Sequence, residues 1–321
     1  MIYDISLNDR FDLKKDSVLL NGPQALVRLC LIQSERDKLK GLSTSGYITG
    51  YRGSPLGAVD QQFNRAKNIL TERKVFFREA LNEDLAATAI WGAQQANIRG
   101  DGATDGVYSL WYGEGPGVDR SGDVFRHANL AGTDPNGGVL VAMGDDHTGE
   151  SSTALHQSEY ALMDSMIPIF SPAGVQELLD FGVLGWELSR FAGVWVGLKC
   201  MKDTVEVTEV VDGSVERIEV KQPVFSFPEE GVQIRTNDLA AIQEERLHKV
   251  KIPAVKAFAR ANNLNKVVFS KEGAKIGLVS AGKSWLDTVH AMDLLGINEQ
   301  KANELGISTF KVGLVWPLEE E

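Results

Sequence analysis

Apolar runs of strand length alternate with helical patterns of ten or more residues through most of this 321-residue chain, and that order constrains the fold more than any other feature. Residues 46–50, 74–78, 106–112, 138–143, 167–170 and 193–199 read as strands. The helix from residue 22 places Ala25, Leu26, Leu29, Cys30 and Ile32 near a 3.6-residue period, and the next carries Leu56, Val59, Phe63, Ala66 and Leu70 on one side. Asn82 is a good cap for an alanine-rich helix running to Ala96, and Glu83 and Asp84 behind it favour the helix dipole. Residues 175–191 are helical as well. The expected fold is therefore α/β, a mostly parallel sheet with helices on both faces.

Three stretches stand outside that alternation. Residues 1–20 are polar and mixed, and read as an N-terminal extension. Residues 205–228 alternate apolar with polar around Asp212-Gly213, which reads as a hairpin turn in an antiparallel insert or edge ribbon. Residues 237–263 are helical, with a break expected at Pro253. A strand at 275–280, a helix at 283–295 and a strand at 310–315 then open a second α/β domain that looks cut short. The expected division is an extension (1–20), a main domain (21–236), and linker helices with the start of a second domain (237–321).

Composition narrows the function classes. A formal net charge of −11 argues against nucleic-acid binding, which needs clustered cations, but leaves room for phosphate held by backbone N–H groups. No apolar stretch is long enough for a membrane span and no secretory signal is visible, so the expectation is a cytoplasmic protein. The two cysteines, Cys30 and Cys200, sit among apolar residues and read as buried thiols; two are too few for a four-thiolate cluster. His127 and His156 have no ligand partner at useful spacing, so no metal site is expected.

Glu83 is the first candidate for chemistry, because parallel α/β folds place ligands at strand C-terminal ends and the helix starts that follow. Spacing alone equally allows a plain acid satisfying the dipole. Ser54 and Pro55 read alone as a strand–helix turn, and Asp145, Asp146, His147, Ser151 and Ser152 as a polar loop capping a helix through Tyr160. Gly100-Asp101-Gly102 followed by Asn129 imitates a magnesium–diphosphate signature, but residues 94–99 read as a helix end, which makes the glycines a C-cap and loop.

Taken together, Gly50-Tyr-Arg-Gly-Ser-Pro55, Asn82-Glu83 and Met143-Gly-Asp-Asp-His-Thr-Gly-Glu-Ser-Ser152 resemble the pyrimidine-binding domain of indolepyruvate:ferredoxin oxidoreductase, a member of the 2-oxoacid:ferredoxin oxidoreductase superfamily. The likeness covers about residues 20–205 and continues more weakly to 321, and the Gly-rich stretch at 113–137 is similar to the fused bacterial form. Arg52 departs from the two-subunit relatives, which tend to carry proline after the tyrosine. The resemblance implies thiamine diphosphate as cofactor, with Glu83 contacting N1′ of its aminopyrimidine and Ser54 and Pro55 approaching thiazolium and substrate. It makes Arg52, Asp146, His147 and Ser151 candidates for substrate or interface contacts. It further implies Mg2+ on a missing diphosphate-binding domain and 4Fe–4S clusters on missing segments. Ferredoxin and coenzyme A would be partners, in a dimer. The activity implied is oxidative decarboxylation of aryl pyruvates, with this chain inactive alone. The pyrimidine domain of another thiamine enzyme (a decarboxylase or transketolase-like protein) and a non-catalytic remnant remain as alternatives.

Overall fold

The computed structural model describes residues 6–149, 154–270 and 272–320. The strands are β1 (Ser17–Asn21), β2 (Ser45–Gly50), β3 (Val75–Glu79), β4 (Val107–Glu114), β5 (Val139–Asp145), β6 (Ile169–Phe170), β7 (Trp195–Met201), β8 (Thr208–Asp212), β9 (Asn265–Phe269), β10 (Ile276–Ala281), β11 (Ile307–Val312) and β12 (Leu314–Trp316). The first helices are α1 (Gly22–Leu39), α2 (Val59–Arg65), α3 (Lys67–Glu72), α4 (Glu83–Ala93), α5 (Gly115–Arg120), α6 (Gly122–Ala131), α7 (Glu159–Asp164), α8 (Val175–Ala192) and α9 (Lys202–Val205). Then come α10 (Ala240–Arg246), α11 (Ile252–Ala261), α12 (Gly282–Leu294) and α13 (Glu299–Leu305).

The main sheet has the order β12-β6-β7-β5-β4-β2-β3, parallel throughout except for β12 at its edge. Alternate side chains of its strands feed two apolar layers. Ile48, Leu110, Leu140 and Val196 pack beneath α1, α2, α3 and α8, whereas Trp111, Val141 and Trp195 pack beneath α4, α6 and α7. The fold is thus α/β with helices on both faces, as the alternation of elements required. Both cysteines are buried and free in the first layer.

Local sequence sets the helix starts. Asn21 and Gln24 form a reciprocal capping box at α1, each side-chain oxygen taking the other's backbone N–H at 3.1 Å, with Pro23 in the first turn. Asn82 Oδ1 accepts from Leu85 N at 2.8 Å to open α4.

Three expectations need correction. The stretch 205–228 forms no hairpin: β8 pairs antiparallel with β1, register Ser17 to Asp212, and residues 213–228 have no strand. The cause lies in Arg28, which is buried and donates to the carbonyls of Arg10, Asp12, Lys15 and Gly213 at 2.6–3.2 Å. A cation that must be satisfied inside the fold gathers both segments around itself. The supposed extension is accordingly integral from residue 9 onward. Pro253 also breaks nothing. It lies in the first turn of α11, and a π-helical turn at Leu247–Lys251 joins α10 to α11 without interruption.

The C-terminal unit is a separate three-stranded sheet, β10-β11-β9, with β10 and β11 parallel. The strand expected at 310–315 is divided at Gly313 between this sheet (β11) and the main sheet (β12). Among the described residues no helix is long and apolar enough to cross a membrane.

Candidate active site

The chain leaves β2 toward one face of the sheet, through α2, and leaves β4 toward the other, through α5. Adjacent parallel strands whose connections diverge open a crevice at their C-terminal ends, where ligands of open α/β sheets bind. The turn 51–58, the start of α4 and the start of α5 all meet at this crevice.

Glu83 is the first residue of α4 and is buried, 7% exposed. Its backbone carbonyl accepts from Trp111 Nε1 at 3.0 Å, which ties the helix start to the sheet. Its carboxyl group accepts no hydrogen bond from any described residue. Two glycines make its seat. A Cβ at Gly117 would lie 2.4 Å from Glu83 Cγ and 2.7 Å from Oε1, and one at Gly113 would lie 3.2 Å from Cγ. The residue is buried while its carboxyl oxygens stay open to the crevice, so a ligand there can take them as partners. The donor set suits the ring nitrogen of a heteroaromatic cofactor.

Ser54 and Pro55 join through a cis peptide bond, and Pro55 Cδ packs on the β5 end near Gly144. Together with Arg52, Gly53, Gly57, Pro23 and Val205 they line an open cavity of about 410 Å³. Glu83 does not line this cavity. Glu114 packs against Gly53 of its lining, where a Cβ on Gly53 would meet the Glu114 carboxyl carbon at 2.6 Å. Asp60, also buried, accepts from Tyr112 Oη; burial raises its pKa, and the Tyr112 hydroxyl bond acts against that rise.

The loop after β5 is less committed to this crevice. Asp145 is buried and accepts from Ser158 N at 3.0 Å and Ser158 Oγ at 2.5 Å, and burial raises its pKa. Asp146 accepts from Thr148 Oγ1 and Gly149 N, both at 3.1 Å. His147 Nε2 is 3.5 Å from Asp203 Oδ2 on α9. Ser151 and Ser152 lie outside the described residues. Gly100-Asp101-Gly102 sits at the opposite edge of the sheet: the loop continues to Asp105, whose carboxylate takes Ser43 N at 2.7 Å just before β2. Asn129 is committed to structure, donating to Ser165 O and Met166 O and accepting from Trp195 N at 2.8–2.9 Å.

Sequence reasoning missed Glu114, Gly113 and Gly117. The signal available was the run Gly113-Glu-Gly-Pro-Gly117 straight after a strand, which marks a place where another group approaches the backbone closely. His156, weighed in the sequence only as a metal ligand, packs its ring against Gly115 with Nε2 3.2 Å from Asp119 Oδ2 and Nδ1 buried without a partner among the described residues.

Comparison with known proteins places the chain. Residues 266–321 match the family model described as an indolepyruvate oxidoreductase domain. The indolepyruvate oxidoreductase subunit IorA of Methanothermobacter marburgensis is 23% identical over 98% of this chain and 45% of its own length. That of Pyrococcus abyssi is 25% identical over 92% of this chain and 42% of its own. The chain is similar to the N-terminal part of indolepyruvate oxidoreductases. It spans less than half the length of these relatives. A solved structure of 2-oxoglutarate:ferredoxin oxidoreductase from Magnetococcus marinus, with 2-oxoglutarate, coenzyme A and succinyl-CoA bound, shares the fold with a TM-score of 0.70. The likeness spans 95% of this chain and 55% of that one at 15% identity, and is one of architecture. The crevice around Glu83 is the candidate site of this chain.

Proposed function

We propose that this chain forms the aminopyrimidine-binding part of a thiamine-diphosphate-dependent 2-oxoacid:ferredoxin oxidoreductase that oxidatively decarboxylates aryl pyruvates, indolepyruvate among them, with coenzyme A as acyl acceptor. The observation that carries the reading is Glu83, a buried residue whose carboxyl group has no described partner, seated on glycines at the sheet's ligand-binding edge. Bound thiamine diphosphate would supply the electron sink for cleaving the bond to the substrate carboxylate.

Glu83 would hold a proton at N1′ of the aminopyrimidine, in a setting where burial strengthens that hydrogen bond. Gly113 and Gly117 let the carboxyl group reach its place, and the Trp111 bond to the Glu83 carbonyl fixes the start of α4 that carries it. Ser54 and Pro55 would shape the wall beside the reacting carbon, and Arg52 offers a cation to an anionic substrate entering the cavity they share. Asp146 and His147, on the loop after β5, would act at the rim or at the interface with a diphosphate-binding partner. That partner would bring Mg2+ and, with cluster-bearing segments, the route to ferredoxin, so the isolated chain turns nothing over.

The test is anaerobic assay of the complete enzyme for ferredoxin reduction driven by indolepyruvate, phenylpyruvate, pyruvate and 2-oxoglutarate, with and without thiamine diphosphate and coenzyme A. The reading expects turnover that requires the cofactor and is fastest with the aryl substrates. Turnover independent of thiamine diphosphate, or none with any 2-oxoacid, would refute it.

A further inference from the structure

A second cavity, of about 550 Å³, opens where the C-terminal ends of β6 and β7 face the junction of β10 and α12. Two sets of parallel strands thus turn their ligand-binding ends toward one space. The site described above does not include it.

One wall is the start of α12, a helix of 13 residues. Its N-cap is Ala281, which offers no side-chain acceptor, so the first-turn N–H groups of the helix receive no cap from it. Gly282, Lys283 and Ser284 line the cavity at this point. Lys283 pairs with Asp287 one turn on, at 2.7 and 2.8 Å, and keeps its charge beside the helix start.

The facing wall supplies the second observation. Ser171 is 8% exposed and lines the cavity, and its hydroxyl has no hydrogen-bond partner among the described residues. It points at the helix start: a Cβ on Gly282 would lie 2.8 Å from Ser171 Oγ. An unpartnered hydroxyl on a buried residue and an uncapped helix terminus directed into the same space can both serve an anionic acceptor.

The far end asks for the opposite. Glu159 pairs with Lys199 through Oε1, but its Oε2 is buried without a partner among the described residues, and Tyr160 and Trp316 line the same cavity. An aromatic ligand with an N–H donor would fit there. The sequence Gly277-Leu-Val-Ser-Ala-Gly-Lys-Ser284 also spells a phosphate-loop motif. Residues 277–281 are strand, however, so no loop wraps a triphosphate, and only the helix start with its lysine and serine remains.

We propose that this cavity binds a nucleotide, its phosphate on the start of α12 against Ser171 and its base along Tyr160 and Trp316, giving an exocyclic N–H to Glu159. The volume suits a mononucleotide.

Calorimetric titration of the full protein with AMP, IMP and inorganic phosphate tests this, with thermal unfolding recorded for every variant. AMP is expected to bind saturably, and IMP, which has a carbonyl where AMP has the amine, about tenfold more weakly. Ser171→Asp places a carboxylate on the helix start, which should leave the fold at least as stable and abolish AMP binding. Ser171→Ala should weaken it about tenfold. Glu83→Gln should leave AMP affinity unchanged, which separates this site from the one proposed for thiamine diphosphate. Absence of saturable AMP binding, or undiminished binding by folded Ser171→Asp, overturns the proposal. Equal affinity for AMP and inorganic phosphate overturns the placement of the base.

Discussion

Replacing Gly117 by alanine tests whether the position of Glu83 is what the chemistry needs. The added methyl would lie 2.4 Å from Glu83 Cγ, 2.7 Å from Oε1 and 2.8 Å from Cδ. Non-bonded carbons rest at about 3.5–4.0 Å, so the glutamate must retreat by roughly an ångström. Gly117 lies within α5 at an ordinary negative φ, so alanine costs no backbone strain there and favours the helix by up to about 1 kcal/mol. The two effects separate cleanly. Thermal unfolding should stay close to wild type, while kcat of the complete enzyme for 2-oxoacid-driven ferredoxin reduction falls by about 100-fold, the usual consequence of an ångström's misplacement. Gly92→Ala, on the outer face of α4 where a methyl meets nothing within 4 Å, is the control and should change neither. Wild-type kcat in a folded Gly117→Ala enzyme would refute the reasoning.

Two further predictions concern stability. Arg190 is buried and donates to both oxygens of Asp37 at 2.6 and 2.8 Å, so Asp37→Ala should destabilise the main sheet by about 3–5 kcal/mol in denaturant unfolding; a loss below about 1 kcal/mol would contradict this. Lys251 is fully buried, donating to the carbonyls of Asn129 and Leu130, and burial pulls its pKa down to about 7 from 10.5. Between these values the unfolded chain binds one more proton than the folded one. Lys251 should therefore add about 1.4 kcal/mol of stability per pH unit as pH rises from about 7 to 10, and Lys251→Met should remove that slope; an unchanged slope would contradict the assignment.

How much of this was legible beforehand follows from the physics of each part. The parallel sheet was readable because βαβ units announce themselves through local periodicity, and the start of α4 at Glu83 was readable because Asn82 marks a helix start directly after a strand. The pairing of β8 with β1 was not, since it joins segments nearly 190 residues apart through Arg28, and no local pattern encodes such a partner. An alternating run beside Asp212-Gly213 satisfied the hairpin rule, and the tertiary demand of a buried cation prevailed. Pro253 failed as a breaker for a local reason, because the π turn before it frees the position from donating an N–H. Around the site, the seat of Glu83 was hidden in glycines, which carry no side-chain signal of their own, and the cavity at α12 depends on Ser171, 111 residues before Gly282.

The most direct measurement of the central claim is turnover by Glu83→Gln in the complete enzyme. Glutamine keeps the size of the side chain and should leave thermal unfolding unchanged, but it cannot hold an exchangeable carboxyl proton at the ring nitrogen. The account predicts that 2-oxoacid-driven ferredoxin reduction falls by at least about 100-fold, in the range of lost acid–base assistance, with the fold intact. Turnover at the wild-type rate would contradict it.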